Sequence, residues 1–244
     1  MLTALRDGAR VTAWEVEKGA GPYSCPDPDC KNPDLILRKG RKLVHHFSHR
    51  ARGVCRLGGE SAQHAACKKA IYDAVKALGL HVELEYHLGR CRPDILIWGR
   101  QALVAVEVQL SALSIEEIIR RTQQYTLLGF YTLWVTPWQP KLTETRFRPT
   151  PWQLWAHAAY FGRVYYWTEG EMLVPAHFIR ETKTYRRAVL ANPVRVTHLY
   201  PTEREAWSGG DITVPKCRIM KDNYQKWWTS TANRKGLSAR PRRP

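Results

Sequence analysis

A chain of 244 residues, 44% hydrophobic and 25% charged, has the composition of a folded globular protein and is long enough to bury a sizeable core. Its 38 Lys and Arg against 22 Asp and Glu leave a net charge of +16, which favours a polyanionic partner, most often nucleic acid. No apolar run approaches the roughly 20 residues of a membrane-crossing helix, and the first seven residues lack the apolar core of a signal peptide, so the expected location is the cytoplasm, away from membranes.

The first segment, residues 4 to 18, alternates loosely through Arg10, Val11, Ala13, Trp14 and Val16 and reads as one or two strands. A turn-rich knuckle from Gly21 to Cys30 follows, closed by Cys25 and Cys30. Leu35 to Arg38 reads as a strand, residues 38 to 42 as a basic turn, and residues 44 to 49 carry His45, His46 and His49 ahead of Cys55. Six cysteines are too sparse for a disulfide scaffold, which points to a reducing compartment and makes metal binding the first question for any cluster. Cys25 and Cys30, with four residues between them, and His46 and His49, with two between them, form a candidate zinc set, with His45 or Cys55 able to replace either histidine. A knuckle this small has little core of its own and gains folding energy from such an ion. The competing reading is a loop of reduced thiols, with histidines that touch phosphate or each other.

From residue 60 the pattern changes. Ser61 stands at a helix start, Ala62, Ala66, Ala70, Ile71, Ala74, Val75 and Leu78 recur at helical spacing, and Gly79 closes the helix. Glu60, His64 and Lys68 are four residues apart and share a face, which by itself reads as a solvated stripe of weak pairings. Residues 81 to 86 and 92 to 98 read as strands, the second entered through Pro93 and Asp94. Residues 102 to 108 make a third, apolar except for Glu107, with Gln109 on the same face as Glu107 and opposite Val106 and Val108. A carboxylate inside such a run costs several kcal/mol to bury unless it is paired or holds a cation. Asp94 and Glu107, on neighbouring strands, can converge at one end of the sheet, a geometry suited to Mg²⁺ or Mn²⁺ and a scissile phosphate. Ser114 and Glu117 open a second helix that runs past Arg121 and Tyr125 to Gly129, and residues 131 to 136 make a fourth strand stopped by Pro137 and Pro140.

The second half is rich in tryptophan. Trp152, Trp155 and Ala159 lie at helical spacing, and residues 162 to 167 look like a strand. Residues 177 to 190 read as another small α/β unit, and the aromatics read mainly as core. In the tail, residues 216 to 244, Trp227 and Trp228 stand among cations, and the end carries Arg240, Arg242 and Arg243. Aromatic faces among cations suit single-stranded nucleic acid, and a basic tail with its tryptophans packed on the body is the alternative.

Five motifs stand in order: His46 to His49; Glu60 to His64 with Lys68; Arg92-Pro93-Asp94; Val106 to Ser111; and Arg121-Thr122 to Tyr125. On these the chain resembles the CoiA-like competence protein family, nuclease-like proteins of the PD-(D/E)xK class. The resemblance implies a restriction-endonuclease-like fold and a role in handling DNA taken up by bacteria, ahead of recombination, with recombination proteins as possible partners. It implies that Asp94 and Glu107 bind the metal and that Glu60 completes the site or orients a water. Gln109 stands where the wider class has lysine, and a neutral amide can hydrogen-bond a water or phosphate but cannot supply charge. His64 or Lys68 would then have to supply the missing cation. Arg92 and Arg121 join the tail residues as candidate DNA contacts.

The reading is therefore an α/β protein: a zinc-ribbon-like region over residues 1–57, a restriction-endonuclease-like (PD-(D/E)xK) core over 58–137, and a Trp-rich basic α/β extension over 138–244. The expected activity is Mg²⁺- or Mn²⁺-dependent hydrolysis of DNA phosphodiesters, with a structural Zn²⁺. The alternatives are a non-catalytic DNA-binding accessory protein and an RNA-processing nuclease.

Overall fold

The structure is a computed structural model, and it describes residues 1–51, 55, 60–89, 91–99, 103–110, 113–160, 162–168, 172–182 and 185–195. Residues Trp227, Trp228, Arg240, Arg242 and Arg243, expected to contact nucleic acid, lie outside the described residues. No helix among the described residues is long and apolar enough to cross a membrane.

Two sheets carry the chain. The N-terminal sheet takes β1 (Thr3–Arg6), β2 (Ala9–Thr12), β3 (Tyr23–Ser24), β4 (Asp34–Arg38) and β5 (His46–His49), in the spatial order β2-β1-β3-β4-β5. Its first hairpin turns through Asp7 and Gly8, both at positive φ (51° and 79°), as a two-residue turn matching strand twist requires. A small core of Met1, Ala4, Ala13, Val16, Tyr23, Leu35, Leu37 and Phe47 fills this sheet.

The second sheet positions the candidate site. Helix α1 (Ala62–Ala77) leads into β6 (His81–Leu84), β7 (Ile95–Trp98) and β8 (Leu103–Val108). Helix α2 (Ile115–Leu127), β9 (Phe130–Pro137), a 3-10 turn (Pro140–Thr143) and α3 (Pro151–Ala159) follow. Then come β10 (Val164–Trp167), β11 (Met172–Arg180), β12 (Arg186–Leu190) and β13 (Val194–Arg195). The strands run β12-β11-β10-β9-β8-β7-β6, with β13 also on β11. Pairing is antiparallel from β6 to β8, and parallel where β8 meets β9 and β9 meets β10.

The sheet thus continues past Pro137. Residues 177–190, expected to form another small α/β unit, extend it with the expected strand near 162–167, through β10, β11 and β12, so the expected division between 137 and 138 falls inside one sheet. The reason is the parallel β9-β10 ladder: its crossover, which contains α3, buries Trp152 and Trp155 in the same core as Val104 and Val106.

Side-chain alternation builds the two faces. Ile95, Ile97, Val104 and Val106 pack with Ile71 and Val75 of α1 in the main core. Leu96 and Ala105, one residue out of phase, pack with Tyr125 and Phe130 in a smaller cluster. Ser61 caps α1 by accepting from the His64 amide at 3.2 Å, and Ser114 caps α2 by accepting from the Glu117 amide at 3.2 Å. Both caps are where the sequence places them.

Helix α3 is tied to β11 by a histidine. His157 stacks on Phe178 at 5.1 Å between ring centroids, and its Nε2 accepts from the Phe178 amide at 3.0 Å. Burial, then the nearby charges of His177 and Arg186, push His157 down to about 4. A histidine depressed in the fold stabilises it above its unfolded value near 6.5, and that contribution is lost as pH falls from 6.5 toward 4. The difference in urea midpoint between wild type and His157→Gln should therefore shrink over this window; a difference independent of pH would contradict it.

Candidate active site and metal centre

His64 and Lys68 share one face of α1, with Glu60 just ahead of the Ser61 cap, and the three turn toward carboxylates rather than forming a solvated stripe. The Lys68 ammonium, 2% exposed, lies 2.5 Å from Glu60 Oε1, 2.6 Å from Glu85 Oε1 and 3.6 Å from Asp94 Oδ1. His64 stands between two of the same carboxylates, Nδ1 3.1 Å from Glu60 Oε1 and Nε2 3.0 Å from Asp94 Oδ2. Lys68 is therefore an internal counter-ion and does not reach out as a free cation. Physically, three acids brought under one helix face cannot be buried without one.

The charges in this group follow from its contacts. Burial would raise Asp94, but the Lys68 charge and the hydrogen bond from His64 overcome it and hold the carboxyl at about 2. Burial would lower His64, but its hydrogen bonds with Asp94 and Glu60 outweigh that and push it up to about 9. Burial likewise works against ionised Glu85, yet Lys68 and then Arg92 keep it well below the usual carboxylate range.

Sequence reasoning missed Glu85. The alternation of residues 81 to 86 places it with Glu83 on a polar face, but the backbone leaves the strand at that point, with φ of 53° at Glu85. Its amide donates to the Asp94 carbonyl at 2.9 Å, and its side chain turns inward. Thr3 Oγ1 donates to Glu85 Oε2 at 2.8 Å, the Leu2 and Thr3 amides donate to the same carboxylate, and Arg10 Nη2 donates to the Leu84 carbonyl at 2.5 Å. A positive φ is a signal no residue pattern carries unless glycine marks it.

Asp94 and Glu107 do converge. Ile95 pairs with Val106 across β7 and β8, so the register carries Asp94 beside Glu107. The Val108 amide donates to Asp94 Oδ2 at 2.9 Å. Glu107 is 3% exposed, and burial together with the adjacent Asp94 charge pushes it up to about 7, although Arg121 and Tyr125 oppose the shift. Arg121 Nη1 stands 3.2 Å from Glu107 Oε2, and the Tyr125 hydroxyl donates to Glu107 Oε1. Gln109 is buried at the end of β8, its amide donating to the Val135 carbonyl at 2.7 Å. Two carboxylates side by side are the oxygen ligands a hard divalent cation takes.

The two arginines expected to contact DNA stand beside acids of this group. Arg92 Nη2 lies 3.8 Å from Glu85 Oε2. Arg121 is shared between Glu107 and Glu117, with Nε 2.9 Å from Glu117 Oε1. Buried carboxylates draw in the nearest guanidinium groups. The signal for Arg121 and Tyr125 was their i, i+4 spacing on α2.

The second centre lies in the N-terminal sheet. Cys25, Cys30, His49 and Cys55 bring one ligand atom each to within 4.8 Å of one another, a group that could hold a structural metal such as zinc. Cys25 and Cys55 sulfurs are 3.9 Å apart, and Cys30 Sγ is 3.4 Å from His49 Nε2. Zinc bonds of about 2.3 Å to sulfur and 2.0–2.1 Å to nitrogen at tetrahedral angles require separations of about 3.8 and 3.5 Å. Burial, then the neighbouring sulfurs, pushes the Cys25 thiol up to about 12, so thiolates here need a cation.

His46 is not in this group; Cys55 takes its place. His46 and His49 are three residues apart on one strand and so point to opposite faces. His49 joins the cysteines, while His46 Nδ1 contacts the Val44 carbonyl at 3.0 Å.

Residues 60–185 match the family model described as competence protein CoiA, nuclease-like domain, and residues 9–58 match competence protein CoiA, N-terminal domain. No curated protein and no solved structure matches the chain.

Two measurements test these centres. Purified protein should carry about one zinc per chain by elemental analysis, lost in His49→Ala and kept in His46→Ala; the reverse pattern would refute the assigned set. Lys68→Met should cost about 3–5 kcal/mol in denaturant unfolding at pH 7, because it strands buried carboxylates; a loss below about 1 kcal/mol would mean the acids are solvated.

Proposed function

Because the chain belongs to the competence protein CoiA family, we propose that the paired carboxylates of Asp94 and Glu107 form the centre of a metal-dependent DNA nuclease. The observation that carries this reading is the buried acid pair itself, Asp94 and Glu107 set side by side by the β7-β8 register, with burial and the Asp94 charge pushing Glu107 up. Asp94 and Glu107 are the residues that would hold Mg²⁺ or Mn²⁺. Such an ion supplies a Lewis acid for the phosphoryl oxygen and lowers the pKa of an attacking water.

The chain's own residues do the rest. Lys68 fixes Asp94 from α1 and is itself held by Glu60, and the Val108 amide fixes Asp94 from β8. His64, raised to about 9, is cationic at neutral pH and holds Asp94 Oδ2. Of the two α1 cations, His64 is the more open to solvent, 20% exposed against 2% for Lys68. Gln109 orients water or phosphate through its neutral amide. Arg121 and Tyr125 brace Glu107 from α2. Cys25, Cys30, Cys55, Cys67 and Cys91 form no disulfide among the described residues, which supports a reducing, cytoplasmic setting.

One observation favours a second reading, a DNA-binding accessory protein without cleavage. Lys68 and Arg121, the cations best placed to stabilise a phosphorane, are bound to acids.

Cleavage of linear, circular and single-stranded DNA, with RNA alongside, in Mg²⁺, Mn²⁺ or EDTA separates the two. Metal-dependent cleavage should fall by at least about 100-fold in Glu107→Ala. DNA binding without cleavage in either protein would establish the accessory reading, and preference for RNA would move the substrate.

A further inference from the structure

The turn between β4 and β5 holds Arg38, Lys39, Arg41 and Lys42 within five residues. Arg38, Arg41 and Lys42 are exposed, and so is the neighbouring Leu43, at 54%. The one described acid paired with the turn is the exposed Glu17, 3.6 Å from Lys39. Four cations packed this closely repel one another, and nearby acids or bound anions are the ordinary way to relieve them; among the described residues only the exposed Glu17 is paired with the turn.

The turn is held firmly at its base. Leu35, Leu37 and Phe47 anchor both strands in the N-terminal core, and His49 enters the cysteine cluster. Arg38 Nε donates to Ser48 Oγ at 3.2 Å across the ladder. Val44, just past the turn, packs against the main core of the other sheet.

The strand that leaves the turn is linked to the acids that hold Lys68. Phe47 of β5 donates its amide to the Met1 carbonyl at 2.9 Å, and the Met1 ammonium stands 3.2 Å from Glu60 Oε2. One residue therefore separates the β5 strand from those acids.

We propose that the β4-β5 turn is a phosphate-backbone clamp for DNA, with Arg38, Lys39, Arg41 and Lys42 neutralising successive phosphates. The proposal rests on the DNA reading for its partner but not on catalysis. The turn reads no sequence, since phosphate contacts position a duplex without distinguishing bases. The cysteine cluster, in this view, stiffens the hairpin that carries the clamp, and the exposed Leu43 lies against the sugar edge.

The test is the salt dependence of binding of a fluorescein-labelled DNA duplex to the full chain in EDTA, read by anisotropy. Lys39→Gln/Arg41→Gln/Lys42→Gln is compared with Arg146→Gln/Arg148→Gln/Arg180→Gln, which removes the same charge elsewhere. Equal zinc content and far-UV dichroism establish that each variant is folded. The turn variant should lower the slope of log K against log salt by about 2–3, at about 0.9 per lost phosphate contact, and the distant variant by less than about 1. An unchanged slope in the turn variant, or an equal loss in both, would overturn the clamp. Because the readout is binding without metal, absence of cleavage leaves this result untouched.

Discussion

The ammonium of Lys68 is the interaction on which the site depends. It touches Glu60, Glu85 and Asp94 from a position almost closed to solvent. Burying three acids alone would cost far more than a domain's whole stability, so these residues can meet only around a cation. A lysine four residues beyond a histidine on α1 supplies it, and the helix geometry delivers both to the same carboxylates. A buried ion group of this kind contributes little net stability compared with an apolar core; what it contributes is position. Asp94 is held at both oxygens, one toward Lys68, the other toward His64 and the Val108 amide.

The same network joins the two sheets. Glu85 receives Thr3 and the first backbone amides from β1, while Arg10 of β2 grips the Leu84 and Glu85 carbonyls. The N-terminal sheet therefore closes the back of the carboxylate centre rather than hanging beside it. The N-terminal strands and the nuclease-like part meet at Glu85, whose backbone is held at positive φ. Strained positions of this sort persist only where surrounding bonds over-determine them, and here at least five groups converge on one side chain.

Much of the fold was legible in the residues because it rests on periodicity and end signals. The helix-strand-strand-strand-helix-strand order of residues 62–137 matches the hydrophobic spacing, and both serine caps stand where expected. The convergence of Asp94 and Glu107 was legible too, because an antiparallel register follows from a short turn. The extent of the sheet was not. Whether β10 to β12 join β9 or form a unit of their own depends on long-range pairing, which leaves no mark within a short window.

By itself, then, the sequence determined the element order, the buried acid in β8, the histidine-lysine face of α1 and three of the four side chains of a cluster that could hold a metal, with Cys55 among its alternatives. The tertiary structure alone decided how the charges were shared. It turned Lys68, Arg92 and Arg121 inward as counter-ions, drew in Glu85 where the strand breaks, and set Cys55 in place of His46. The physical reason is the same in each case. Periodicity says which face a side chain takes, but the partner that neutralises a buried charge or completes a tetrahedral set is chosen by proximity between segments far apart in the chain.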